Sequence, residues 1–186
     1  MSLNDTDLIA RVLAGDDRHA FGELVRRHQS AVRGFLRRLV RGQEALADDL
    51  AQETFIEAYR NLAKYRGGSA FSTWLIGIAC NRWRNELRNR RATEQWTEEM
   101  VLADAAPGEE IVAFAASASV DLRHDLTSAL VRLPIDEQTA INLCYQEGLT
   151  HEEAAEVLGC PLGTLKTNLL RAKDKLRRHL RAWAPS

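Results

Sequence analysis

No run of apolar residues in this chain approaches the roughly 20 that a membrane-crossing helix needs, so no such helix is expected. Met1 to Asp7 carries two acids and no base ahead of any apolar stretch. That is the wrong charge for a secretory leader, and it predicts a cytoplasmic protein. Cysteine is scarce: three residues, Cys80, Cys144 and Cys160, odd in number, far apart and without a CxxC pair. A disulfide framework and a zinc site are not expected, and the three thiols read as small buried hydrophobes. Proline and glycine are also few, at 4 and 11 of 186 residues. No alternating polar–apolar run of strand length occurs. What remains is rich in Ala, Leu, Glu and Arg, which favour helix.

These patterns predict an all-α chain with helices near 5–14, 17–41 (with a break near His28), 44–63, 70–91, 121–132, 135–147, 151–158 and 162–181. Gly15 and Gly42 are placed to end helices, and Gly67 with Gly68 separates two more. Thr150 and Glu153 have the spacing of a capping box. Pro134 and Pro161 fit first helical positions, where a missing N–H costs nothing.

The net charge of −1 conceals a division along the chain. Residues 1–92 hold 16 Lys/Arg against 11 Asp/Glu, residues 93–119 hold 6 acids and no base, and residues 120–186 hold 9 of each. An acidic bridge, with Pro107 and Gly108 inside it, therefore joins a basic front module to a balanced rear one. The predicted organisation is 1–91, a linker at 92–119, and 120–186.

Three segments carry chemistry. In the rear module a short capped helix, the turn at Gly159 and Cys160, and a second helix have helix-turn-helix spacing, with Ala155 and Gly159 small enough for a close crossing. Leu162, Leu165, Leu169, Ala172 and Leu176 form the buried stripe of the second helix. Lys166, Thr167, Leu170 and Arg171 fall off that stripe near its start, where base edges would be met. Arg171, Lys173, Lys175, Arg177, Arg178 and Arg181 form a basic run suited to phosphates.

In the front module, Ala47, Leu50, Ala51, Phe55, Ala58 and Leu62 mark the core face of helix 44–63. Asp49, Glu53 and Glu57 recur on another face, with Asp48 and Gln52 beside them and Ile56 in their midst. An apolar residue ringed by carboxylates suits docking to a basic partner, although a merely solvated acidic face fits the same pattern. Segment 64–91 interleaves basic and aromatic residues around a Gly-Gly loop, a composition suited to single-stranded nucleic acid. Phe71, Trp74, Leu75 and Ile78 share a core face. Lys64, Tyr65, Arg66, Ser69, Asn81, Arg82, Arg84 and Arg88 are left for contact.

Two other readings stay open on the residues alone. A self-sufficient helix-turn-helix regulator would dimerise and bind duplex unaided, but no dimer zipper is visible. A metal-dependent hydrolase built on Asp48, Asp49 and Glu53 would need ligands from a second helix, and none is evident.

The order of the motifs discriminates further: Asp48 to Phe55 (DDLAQETF), Tyr65 to Leu75 (YRGGSAFSTWL), Ile78 to Asn81 (IACN), Leu133 with Pro134, Gly148 to Ala155 (GLTHEEAA) and Gly163 to Lys166 (GTLK). Over about residues 5–181 this resembles the extracytoplasmic-function (group IV) sigma factors of the sigma-70 family. The resemblance implies two helical domains, a region 2 bundle at 1–91 and a region 4 helix-turn-helix at 120–186. It implies a subunit of RNA polymerase rather than an enzyme, with no cofactor, metal, small-molecule substrate or homo-oligomer. Asp48, Asp49, Gln52, Glu53 and Ile56 would dock on the β′ clamp helices of core RNA polymerase, and the rear domain would meet the β flap. Lys64, Tyr65, Arg66, Ser69, Phe71, Asn81, Arg84 and Arg88 would bind promoter DNA at the −10 element and help melt it. Lys166, Thr167, Leu170, Arg171 and Lys173 would read the −35 element. The linker would thread toward the RNA exit path, and an anti-sigma factor would hold the protein inactive. The chain departs from the family pattern at Tyr65, where many relatives have Phe, at Gly68, where many have an acid, and at Thr139 and Ala140, which replace an Arg-Glu pair.

Overall fold

The computed structural model describes residues 3–40, 42–94 and 120–180. Residues 92–94, expected to begin the linker, instead continue the helix that precedes it, and residues 95–119 and Arg181 of the basic run lie outside the described residues. Among those described, every regular element is helical: α1 (Asp5–Gly15), α2 (Arg18–Val40), α3 (Glu44–Asn61), a 3₁₀ turn (Leu62–Lys64), α4 (Phe71–Glu94), α5 (Val120–Val131), α6 (Ile135–Ile141), a π turn (Asn142–Gln146), α7 (His151–Leu158) and α8 (Leu162–His179). The described residues separate into two compact units, 3–36 with 44–94, and 37–40 and 42–43 with 120–180.

In the first unit, side-chain caps set the helix starts. The Asn4 side chain accepts the Asp7 N–H at 2.8 Å, and Asp7 reaches back to the Asn4 backbone. The Asp17 carboxylate accepts the Ala20 N–H at 3.0 Å as α2 begins. The expected stop at Gly15 is carried instead by Asp16, which takes the left-handed conformation at φ 54° and donates its N–H to the Val12 carbonyl. A short polar side chain tolerates that geometry better than most. The break expected near His28 is absent, because α2 runs unbroken for 23 residues. Leu24, Val32 and Phe35 of α2, Leu50, Phe55 and Ala58 of α3, Leu62, and Leu75 and Ala79 of α4 are all buried. Each large one contributes about 1.5–3 kcal/mol relative to exposure. Thr54, buried among them, donates its hydroxyl to the Leu50 carbonyl at 2.7 Å.

The second unit packs α5, α6 and α7 against α8. Leu130, Leu133, Leu143, Leu158, Leu165 and Leu169 are buried there. The continuous helix expected over 135–147 is interrupted by a π turn from Asn142. Pro134 and Pro161 stand one residue before their helices, with ψ 147° and 144°, rather than at the first helical position. Extended backbone there feeds the chain into the helix, and the absent N–H still costs nothing. Thr139, buried, turns its hydroxyl onto the Ile135 carbonyl at 2.7 Å. None of the three cysteines is in a disulfide; Cys80 is buried, whereas Cys144 and Cys160 are only half-buried. Burial pushes the Cys144 thiol up from its ordinary value.

Candidate partner and nucleic-acid interfaces

Helices α2 and α3 leave a groove of about 660 Å³ between them. Its walls include Phe21 and Val25 from α2 and Ala51, Phe55, Ile56 and Tyr59 from α3. Asp48, Asp49 and Gln52 line it from α3, with Arg18 and Arg33 from α2. Ile56 is 43% exposed and continues the apolar wall formed by Phe21, Val25, Ala51 and Phe55, a contiguous patch rather than a lone surface residue. The structure thus gathers Asp48, Asp49, Gln52 and Ile56 on one surface, and Arg33 Nε lies 3.3 Å from Asp48. Glu53 stands outside the groove and faces α4, 3.5 Å from Arg82, which also pairs with Glu57. Sequence reading missed the contribution of α2. Phe21 meets Tyr59 edge-on, centroids 4.8 Å apart, and the Tyr59 hydroxyl donates to Asp16. That hydrogen bond raises the Tyr59 phenol above its ordinary value. An apolar trough with acids along one rim suits a helical partner carrying apolar and basic residues.

The second surface surrounds the turn between the 3₁₀ helix and α4. Gly67 takes φ +70°, which only glycine adopts at no cost, and lets the chain reverse. Tyr65 closes the turn by donating its hydroxyl to the Ser69 carbonyl at 2.6 Å. Its ring meets Phe71 and Trp74, each with centroids 5.4 Å away. Phe71 is buried, so it supports Tyr65 from behind, while Tyr65, Ser69 and Trp74 are half-buried and Lys64 and Arg66 exposed. Burial, and then the charge of Asp5, push the Tyr65 phenol up. Asn81 lies seven residues beyond Trp74 on α4, about 10 Å along the same face, and Arg88 follows after seven more. Both are exposed, Arg84 is half-buried, and Arg88 donates to Asn85. The arrangement offers a partly open aromatic wall beside a cationic helix face.

The third surface is on α8. Thr150 and Glu153 form the reciprocal cap: the Glu153 N–H reaches the Thr150 hydroxyl at 3.2 Å, and Glu153 accepts the Thr150 N–H at 2.9 Å. Helix α7 ends in a Schellman arrangement, Cys160 N–H to Ala155 and Gly159 N–H to Glu156. Gly159 is needed there for its φ of +61°, not for closeness as expected, since a Cβ would meet nothing within 4 Å. Buried Ala154 and Ala155 are the small residues of the interior. On α8, Leu165, Leu169 and Ala172 are buried, and Leu162 and Leu176 half-buried. Lys166, Thr167, Leu170, Arg171 and Lys173 are all exposed, Leu170 by 60%. The Thr167 hydroxyl donates to the Gly163 carbonyl at 2.9 Å. Lys175, expected among the phosphate-facing cations, turns inward to Glu137. The π turn brings Tyr145, 43% exposed, beneath the Lys173 ammonium, 4.9 Å from its ring centroid. Sequence periodicity carried no sign of that contact.

Among the described residues, no helix is long and apolar enough to cross a membrane, and no group of three His, Cys, Asp or Glu side chains is placed to hold a metal.

Comparison with known proteins matches residues 24–93 to sigma-70 region 2 and residues 123–176 to sigma-70 region 4. The chain is 37% identical over 184 residues to the ECF RNA polymerase sigma-E factor of Haemophilus influenzae, covering 94% of each chain. It is 37% identical over 185 residues to the RNA polymerase sigma-H factor of Pseudomonas aeruginosa, covering 95% of this chain and 93% of that one. Among solved structures it is similar to the sigma factor RpoE of Bartonella quintana in complex with the anti-sigma factor NepR, with TM-score 0.72, 28% identity, and 87% and 96% of the two chains covered. It is also similar to CnrH in complex with the cytosolic domain of CnrY, with TM-score 0.67, 27% identity, and 97% and 99% covered.

Proposed function

Because this chain belongs to the extracytoplasmic-function group of the sigma-70 family, we propose that its α2–α3 groove binds core RNA polymerase while its two other surfaces direct the enzyme to promoters. Sigma factors are transcription initiation factors, and this one acts in the cytoplasm without catalysis of its own. The observation that carries the reading is Ile56, exposed in an apolar groove edged by Asp48, Asp49 and Gln52. A solvated acidic helix has no use for such a residue, whereas the β′ clamp helices would bury it against their own apolar and basic side chains.

In this reading residues 1–91 form the core-binding and −10 module, 92–119 the linker and 120–186 the −35 module. Tyr65, supported by Phe71, offers the ring face for an unpaired −10 base, and Ser69 lies at the same turn. Lys64, Arg66, Asn81, Arg84 and Arg88 follow the strand. Lys166, Arg171 and Leu170 meet base edges of the −35 element, with Thr167 and Lys173 alongside. One solved relative, RpoE, was captured with an anti-sigma factor, which favours an anti-sigma factor that covers these faces here as well.

Run-off transcription with purified core polymerase and a genomic promoter library tests the proposal. Specific transcripts are expected with the protein and absent without it. Asp49→Arg, which puts a cation on the acidic rim of the groove, should reduce core affinity while helicity is kept. A complete lack of transcripts, or tight sequence-specific duplex binding without core, would favour the self-sufficient regulator instead.

A further inference from the structure

We propose that Asp5 and His28 are positioning residues for promoter opening: a carboxylate–imidazole pair, behind Phe71, that sets the aromatic wall against which the unpaired −10 base is held. The inference rests on the reading of Tyr65 as the base-contacting ring, and it brings α1, which that reading left without a role, into DNA recognition.

The contacts form a continuous path. The capping box at Asn4 and Asp7 fixes the first turn of α1, which presents Asp5 toward α2. One carboxylate oxygen of Asp5 lies 2.7 Å from His28 Nε2. The other accepts from Arg27 Nη1 at 3.1 Å, and Arg27 is itself held by Glu23 at the same distance. Both Asp5 oxygens are therefore committed, and the imidazole cannot turn without losing its partner. The His28 side chain is 16% exposed. Its ring lies edge-to-face with Phe71, centroids 5.4 Å apart at an interplanar angle of 74°. Phe71, buried, contacts both Tyr65 and Trp74, and Tyr65 is held at its far end by the Ser69 carbonyl. Displacing His28 would free Phe71 to shift, and Tyr65 with it.

A leucine or phenylalanine at position 28 would fill the same volume without requiring a buried polar atom to be satisfied. A histidine with a dedicated carboxylate from another helix adds a fixed orientation instead. Edge-to-face ring contacts reward orientation, since the positive edge of one ring must meet the face of the next. A ring that stacks on a flipped base gains from being held in place beforehand, because the cost of ordering it is not met at binding.

The test uses holoenzyme reconstituted from core polymerase and the full chain. The probe is a fluorescent single-stranded oligonucleotide carrying the non-template −10 strand of a promoter the holoenzyme transcribes. His28→Phe keeps the bulk and the ring but loses the pair; Asp5→Ala, on an accessible helix start, loses the pair without touching the core. Each should weaken oligonucleotide binding by about three- to tenfold, the range of one hydrogen bond. Core affinity should remain within twofold, and the double variant should be no weaker than the weaker single one. Tyr65→Ala is the reference, with a larger loss expected. Tyr65→Ala weak but both pair variants at wild-type affinity would overturn the positioning role alone. Tyr65→Ala at wild-type affinity would overturn the reading of the loop, and this inference with it. Equal losses of oligonucleotide and core affinity would reduce the pair to ordinary packing and overturn the proposal as well.

Discussion

Lys175 of α8 places its ammonium 2.8 Å from a carboxylate oxygen of Glu137 on α6, although the Glu137 side chain is only 7% exposed. The other Glu137 oxygen is buried with no hydrogen-bond partner. A buried carboxylate with a single cation depends on that cation. Lys175→Met should therefore cost about 1–2 kcal/mol, the buried-pair penalty discounted because Lys175 itself is 40% exposed. Glu137→Gln, which removes the charge along with its need, should cost less. Amide hydrogen exchange along α8 in the full chain checks the order; equal protection in both variants would refute it.

Thr150 caps α7 through the Glu153 N–H. Thr150→Ala should lower stability by about 1 kcal/mol, while Thr150→Ser, which keeps the hydroxyl, should stay near wild type. Because α7 abuts the turn into α8, the alanine variant should also speed exchange at the Gly159 and Cys160 amides, which are bonded back to α7. Urea unfolding followed by exchange mass spectrometry would register both effects.

Asp17 supplies a pH dependence. The Ala20 N–H holds its carboxyl below the ordinary value of 3.8, with Arg11 adding to the effect. The folded chain thus prefers the ionised form. The stability this lends is complete above the unfolded-state value and is lost as pH falls through the lower folded one. Carboxyl carbon NMR should show Asp17 titrating below pH 3.8. Asp17→Asn keeps a capping oxygen and should remove this contribution to acid sensitivity; an Asp17 midpoint at or above the ordinary value would contradict the cap.

On the exposed face of α8, position should separate the roles. Lys166→Ala or Arg171→Ala should each weaken −35 binding by about 1–3 kcal/mol if the side chain reaches a base edge. Lys173→Ala should reduce the salt slope by about one, the signature of a phosphate contact. Thr167→Val should do less than either, since its hydroxyl already donates to Gly163. Fluorescence anisotropy of holoenzyme on −35 duplexes across a salt series distinguishes these outcomes. Unchanged affinity for both Lys166→Ala and Arg171→Ala would remove this face from base reading.

Where a helix begins or ends on a side chain, the sequence was legible. Thr150 with Glu153, and the stripe of Leu165, Leu169 and Ala172, named α7 and α8 correctly because cap chemistry and periodicity are local. The core face of α3 and the turn after it, from Ala47 to Leu62, was legible for the same reason. What escaped was tertiary. Phe21 and Val25 sit in an arginine-rich stretch of α2, and only its packing beside α3 makes them walls of a groove. Lys175 belongs by sequence to a basic run, and only the approach of α6 turns it inward. The π turn at Asn142 has no residue signature, so Tyr145 could not be placed beneath Lys173 in advance. His28, expected at a break in α2, instead keeps its helix and spends its side chain on Asp5 and Phe71.

Arg82 grips two carboxylates at once, Glu53 and Glu57. A visiting cation that claims Glu53 leaves Arg82 still neutralised by Glu57, one helical turn away. Association would then strand no charge on the protein's own side: that acid would change hands without leaving Arg82 unpaired.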